Sequence, residues 1–136
     1  MLFRSVDLVP ERLERARVRG METVDLREHD DVAAVLRDLT GGRGPDAVID
    51  AVGMEAHGSP GGKVVQTITG LLPDAIAAPL TEKAGLDRLG ALYAAIDIVR
   101  RGGTISIIGV YGGMVDPMPL MTMFDKQIQL RMGRPT

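Results

Sequence analysis

Leu2-Phe3-Arg4-Ser5-Val6-Asp7-Leu8-Val9-Pro10-Glu11-Arg12-Leu13 (residues 2–13) is the stretch that decides the fold. Leu2 to Val6 reads as a short strand. Asp7 stands at its tip, and Pro10 follows where a helix can begin, because the first helical N–H has no intrahelical partner to lose. Glu11 to Arg19 reads as that helix, with Leu13 and Ala16 on one face. Gly20 is placed to end it in a left-handed conformation. Glu22 to Leu26 is the next strand. A strand, a helix and a second strand joined by short turns make a parallel crossover unit.

The same alternation continues outward. Asp30 or Asp31 is suited to cap a helix by accepting backbone N–H groups. Val32, Val35, Leu36 and Leu39 then fall at helical spacing and form one apolar stripe that Gly41-Gly42 stops. The loop Gly42-Arg43-Gly44-Pro45-Asp46 leads to Ala47-Val48-Ile49-Asp50-Ala51-Val52, apolar with one acid, as expected for a strand buried on both faces. Lys63 to Leu72 fits helix and strand equally. Asp87 to Arg101 is the clearest helix, with Leu89, Leu92, Tyr93, Ile96 and Val99 on one face and Gly102-Gly103 behind it. Thr104 to Ile108 is a strand closing on Gly109. A Met- and Pro-rich segment, Met114 to Phe124, precedes a last strand, Gln127 to Met132. The order implies an α/β chain whose mostly parallel sheet is doubly wound, with helices on both faces.

Composition bounds the function. A chain of 136 residues, 45% apolar, is enough for one core and too short for two ordinary domains. With a net charge of −2 and no long run of like charge, nothing points to nucleic acid or a membrane surface as partner. Cysteine is absent, so no disulfide and no thiolate nucleophile or metal ligand is available. Met1 to Asp7 is too short for a signal peptide or a spanning helix, and the protein reads as soluble and cytoplasmic.

Asp7 is the most informative polar position. An acid at a strand tip before a helix accepts hydrogen bonds from the hydroxyls of an adenosine ribose and repels a 2′-phosphate, favouring NAD over NADP; it equally suits a capping role for the helix that follows. Arg12, five residues on, reaches toward an adenine or ribose edge, or lies on the solvated face of a mixed-charge helix. Glycine follows two other strand ends, at Gly53 and in Gly109-Val110-Tyr111-Gly112-Gly113, where it lets backbone approach a cofactor or simply makes the turn. His57, in the loop after Gly53, is a candidate for a phosphate or ribose hydroxyl, or is exposed. His29 has no assigned role. Met114, Met118, Met121 and Met123 are most economically core filling. A nucleotide-binding sheet normally opens with a strand and a Gly-x-Gly-x-x-Gly turn roughly 20 residues before the acid. Only six residues precede Asp7, so the fold class is a partial doubly wound sheet whose first strand and glycine-rich turn are missing.

Residues 6–17 (VDLVPERLERAR), 40–58 (TGGRGPDAVIDAVGMEAHG) and 100–113 (RRGGTISIIGVYGG) resemble the zinc-dependent medium-chain alcohol dehydrogenases, and within them the glutathione-independent formaldehyde dehydrogenase type. The resemblance implies a partial NAD-binding Rossmann domain over residues 1–136, with an insertion at about 54–86. It implies that Asp7 binds the adenosine ribose, that Arg12 flanks the adenine and that Val52 and Gly53 lie against the cofactor. His57, Gly58 and Ser59 would contact it, and Ile108, Gly109 and Val110 would turn backbone toward the nicotinamide. It further implies NAD as hydride acceptor, an alcohol or aldehyde as substrate, and zinc held by a catalytic domain outside this chain, so that the isolated chain is inactive. Residues 127–132 resemble the edge strand through which such subunits pair as homo-oligomers. Loss of the first strand, central in the order 3-2-1-4-5-6, would leave its two neighbours without their shared partner. Three rivals remain at this point: a Rossmann-like S-adenosylmethionine-dependent methyltransferase, which would finish in a reversed β-hairpin; a non-catalytic domain that only pairs through its last strand; and a zinc-free quinone reductase, which would favour NADP.

Overall fold

The computed structural model describes residues 2–52, 89–109 and 117–133. The chain forms two compact units, Met1–Gly42 and Arg43–Thr136. The first unit contains β1 (Arg4–Asp7), α1 (Pro10–Val18), β2 (Glu22–Asp25) and α2 (Val32–Asp38). In the second are β3 (Ala47–Asp50), a helix α3 over residues 89–98, β4 (Thr104–Ile107), α4 (Leu120–Lys126) and β5 (Gln129–Met132). The proposed insertion at 54–86 lies outside the described residues.

All described strand pairs are parallel. β1 pairs with β2, and β4 sits between β3 and β5. Among the described residues β1 and β3 each have one strand neighbour. The parallel β4–β5 pair also departs from the reversed hairpin that a methyltransferase would require.

Local chemistry accounts for the first unit. Val9 is the extended N-cap of α1 with Pro10 behind it, and its carbonyl accepts the Arg12 and Leu13 amides at 3.1 Å each. The helix ends in a Schellman turn: Gly20, at φ 78°, donates to the Arg17 carbonyl and Met21 donates to that of Ala16. Leu13 and Ala16 are its buried face. In α2, Asp31 is the residue that caps, its Oδ1 accepting the Ala34 amide at 2.9 Å. The expected stripe is only partly realised: Leu36 is buried, whereas Leu39, the C-cap, is 44% exposed.

The second unit holds the larger core. Leu92, Ala95, Ile96 and Val99 from α3 and the residue after it pack on Ile105 and Ile107 of β4, with Val48 and Leu130 from the flanking strands. Gly44 allows this approach: at φ +89° its missing Cβ would collide with the Ile98 carbonyl. The neighbouring Pro45 and Asp46 carbonyls accept the Arg100 and Thr104 amides.

Three expectations need correction here. β3 is not buried on both faces, for Ala47 is exposed and Ile49 is 64% exposed; it is an outer strand of its ladder, and only Val48 and Asp50 turn inward. The Met- and Pro-rich segment contains a helix, α4, which starts after Pro119 and ends at Gln127 in a left-handed conformation. Its methionines divide: Met118 and Met123 pack on the core, whereas Met121 is 80% exposed. Met114 lies outside the described residues.

A two-stranded ladder is marginal on its own, whereas the fully buried Ile105 lies on a strand paired on both sides. In native-state hydrogen exchange the amides of β4 are expected to be the most protected in the chain, and those of β1 and β2 to open at distinctly lower free energy. Equal protection in both ladders would show that the two units unfold as one.

Candidate functional site

The candidate residues of the first unit gather at the C-terminal end of the β1–β2 ladder. Asp7 is the last residue of β1. Its Oδ1 accepts the amides of Leu8 at 2.7 Å and Val9 at 2.9 Å. This fixes the carboxylate and turns Oδ2 toward Arg12, whose guanidinium lies 3.5 Å away. The structure therefore brings the two sequence candidates together. The side chain of Asp7 is 23% exposed and that of Arg12 is 68% exposed. Asp7 also does its bland work, since the amides it holds lead into α1.

Beside Asp7 stands an acid that the sequence reading missed. Asp25 ends β2 and is its register partner, and the Leu26 amide donates to the Asp7 carbonyl at 3.0 Å. Asp25 is only 6% exposed. Arg27 satisfies it three ways: its amide and Nε donate to Oδ1 at 2.9 Å each, and its terminal nitrogen donates to Oδ2 at 2.5 Å. These Arg27 side-chain and backbone hydrogen bonds outweigh desolvation and hold the Asp25 carboxyl at about 2, below its ordinary 3.8.

In the second unit the candidates Val52, Ile108 and Gly109 are organised by Asp50, again a strand's last residue. Its carboxylate accepts the Val52 amide at 3.0 Å. Its carbonyl accepts the amides of Ile108 at 3.0 Å and Gly109 at 3.2 Å. Those two amides are thus committed to pairing with β3. Asp50 is 4% exposed, while Val52 and Ile108 present 42% and 44% of their surface. The only sequence signal for Asp50 was an acid inside an apolar run. Gly53, His57, Gly58, Ser59 and Val110 lie outside the described residues, and nothing in the fold tests their roles. Among the described residues no group of three His, Asp or Glu side chains is placed to hold a metal, and the chain has no cysteine.

No protein-family model matches the chain. Individual proteins do. It is 35% identical over 131 residues to the uncharacterized zinc-type alcohol dehydrogenase-like protein AdhB of Bacillus subtilis, covering 96% of this chain and 31% of that protein. Other relatives at 30–31% identity include the zinc-type alcohol dehydrogenase B of Aspergillus flavus and the glutathione-independent formaldehyde dehydrogenase of Bacillus subtilis. Formaldehyde dismutase of Pseudomonas putida is 36% identical over 114 residues, covering 84% of this chain and 23% of its own length. Among solved structures, the alcohol dehydrogenase TADH from Thermus sp. ATN1 superposes with a TM-score of 0.63 at 26% identity, over 95% of this chain and 27% of that one. The chain therefore spans under a third of the length of these relatives. A zinc site formed by this chain's described residues does not fit their chemistry, for they supply neither thiolates nor a three-ligand cluster. Among the described residues no helix is long and apolar enough to cross a membrane.

The sign of the Asp25 shift gives a pH prediction. Its folded-state value lies below the ordinary one, so its contribution to stability is complete above about 4 and disappears as pH falls through about 2. Asp25→Asn keeps an acceptor for the Arg27 amide and removes the titration. Denaturant unfolding of this variant should depend less steeply on pH across that acid window than the wild type. Parallel profiles would mean that Asp25 is unperturbed.

Proposed function

We propose that this chain is the nucleotide-holding part of an NAD-dependent alcohol or formaldehyde dehydrogenase, with Asp7 as the acid that receives the adenosine ribose. The observation that supports it most is the division of labour within one carboxylate. Backbone amides fix Oδ1, while Oδ2 faces a partly exposed rim with Arg12 alongside. A ribose 2′,3′-diol offers two O–H donors, which a fixed carboxylate accepts without reorganising. A 2′-phosphate would set like charges together, so NAD is preferred to NADP and the quinone-reductase rival is disfavoured.

In the second unit, Val52, Ile108 and Gly109 are proposed as surfaces for the cofactor. Asp50 holds all three backbones in place. Exposed Val52 and Ile108 offer apolar contact, and with its amide committed Gly109 offers little beyond close backbone approach. His57, Gly58, Ser59, Gly53 and Val110 are proposed on the resemblance alone.

In the parent enzyme the reaction is hydride transfer from an alcohol or hydrated aldehyde to NAD. Zinc supplies Lewis acidity there, from ligands outside this chain. The formaldehyde-acting relative favours an aldehyde hydrate among the substrates. Calorimetric titration of the 136-residue chain should give saturable binding of NAD and weaker binding of NADP. Asp7→Ala should raise the NAD dissociation constant about 10-fold or more, as expected for loss of a hydrogen bond to a charged group. No NADH should form with ethanol or formaldehyde. Saturable binding of S-adenosylmethionine but not NAD would overturn the proposal.

The chain is further proposed to pair with a second copy through β5. This strand lies at the edge of its ladder. Gln129 and Gly133 donate inward to the Gly103 and Ile107 carbonyls, so alternation turns the Leu130 and Met132 amides to the open side. Met132, Met121 and Phe124 are 69%, 80% and 82% exposed, apolar surface that a partner would cover. Met132→Pro removes one outward donor and leaves the inner ladder intact. Light scattering should then show a dimeric wild type and a monomeric variant; identical masses would exclude pairing through this edge.

A further inference from the structure

Arg27 is more than the counter-ion of a buried acid. Asp25 takes both Nε and a terminal nitrogen of its guanidinium, a two-point grip that fixes the plane and not merely the position of the charge. Yet the Arg27 side chain is 55% exposed while Asp25 is buried. A guanidinium plane is therefore held still with open surface on it. Its place in the fold is equally specific. Arg27 begins two residues beyond the register partner of Asp7, directly after Leu26, whose amide bonds the Asp7 carbonyl.

A held, weakly hydrated guanidinium plane is a stacking platform for a flat π-system. We propose that Arg27 is the surface on which the adenine base stacks, with Asp25 as its positioning residue. The proposal rests on the ribose assignment to Asp7 and extends it by one residue that the sequence patterns did not single out. A lysine could balance Asp25 but could not offer a plane. A neutral side chain would leave a buried carboxylate uncompensated, so the ion pair and the platform have one origin.

The test separates base from sugar. The full chain is titrated calorimetrically with NAD, AMP and ribose 5-phosphate, which keeps the sugar and lacks the base. In Arg27→Lys the charge facing Asp25 is retained and the plane is lost. In the double variant Asp25→Asn/Arg27→Gln the amide acceptor is kept and both charges are removed, so no carboxylate is stranded if the single variant fails to fold. Circular dichroism reports folding of each. The expected result is NAD and AMP dissociation constants raised about 3- to 10-fold in Arg27→Lys and about 5- to 30-fold in the double variant, with ribose 5-phosphate unchanged. A folded variant that binds AMP as the wild type does, while Asp7→Ala weakens it, overturns the stacking role and leaves the ribose assignment standing. Equal weakening of AMP and ribose 5-phosphate also overturns it, since Arg27 would then act on the sugar or the fold. A wild type that binds neither NAD nor AMP overturns both.

Discussion

A parallel strand that ends in a sharp turn strands the amides just past its tip. In this chain the remedy is an aspartate at the strand's last position. β1, β2 and β3 end in Asp7, Asp25 and Asp50, and each carboxylate accepts the N–H two residues on, from Val9, Arg27 and Val52. A short side chain can curl back onto its own backbone in this way, as a longer glutamate cannot without losing rotamer freedom. The constraint sets where each strand stops and where the next segment departs. It therefore places every described candidate residue near a strand tip: Arg12 follows the turn that Asp7 holds, and the backbones of Val52, Ile108 and Gly109 all converge on Asp50.

The same device is costly in different degrees along the chain, and the neighbouring residues reflect it. Burying a carboxylate is unfavourable unless it is paired and hydrogen-bonded. At Asp25 the compensation is charged and complete, through Arg27. In the second unit, Lys126 Nζ donates to the Ile96 and Asp97 carbonyls at 2.8 Å each, satisfying the open end of α3. Just past the end of α3, Arg100 bonds Asp46, as does Arg43, tying the loop before β3 to the segment before β4. The Asp46 carboxyl is held below its ordinary range, chiefly by the Arg100 hydrogen bond. Such exposed pairs fix geometry more than they add stability.

Much of this was legible in the residues, and the failures have physical causes. The order of strands and helices in the first unit follows from Pro10, Gly20, Asp31 and the glycine pair at 41–42, each of which acts through backbone geometry and needs no tertiary partner. α4 was not legible because prolines surround it and only seven residues, Leu120–Lys126, are helical. Ile49 reads as core by hydropathy, yet burial depends on what stands beside a strand, and among the described residues β3 has a neighbour on one side only. Asp25 and Arg27 escaped because nothing in E-T-V-D-L-R separates a locked pair from two surface charges; only burial of the first and exposure of the second do so.

That contrast also decides which of the three tip acids can meet a ligand. A carboxylate has two oxygens, and the turn occupies one. What remains depends on depth. Asp50 is 4% exposed and serves the backbone. Asp25 is nearly as deep, and its second oxygen is taken by Arg27, so it reaches outward only through that guanidinium. Asp7 alone, at 23% side-chain exposure, keeps an oxygen at the rim with its nearest cation at a loose 3.5 Å. A long ion pair on an exposed arginine is weak and easily displaced, so hydroxyl donors can compete for that oxygen without dismantling the turn that the other oxygen holds. One carboxylate can thus satisfy the fold and still offer an acceptor, and the depth of the strand tip determines which of three chemically identical side chains does so.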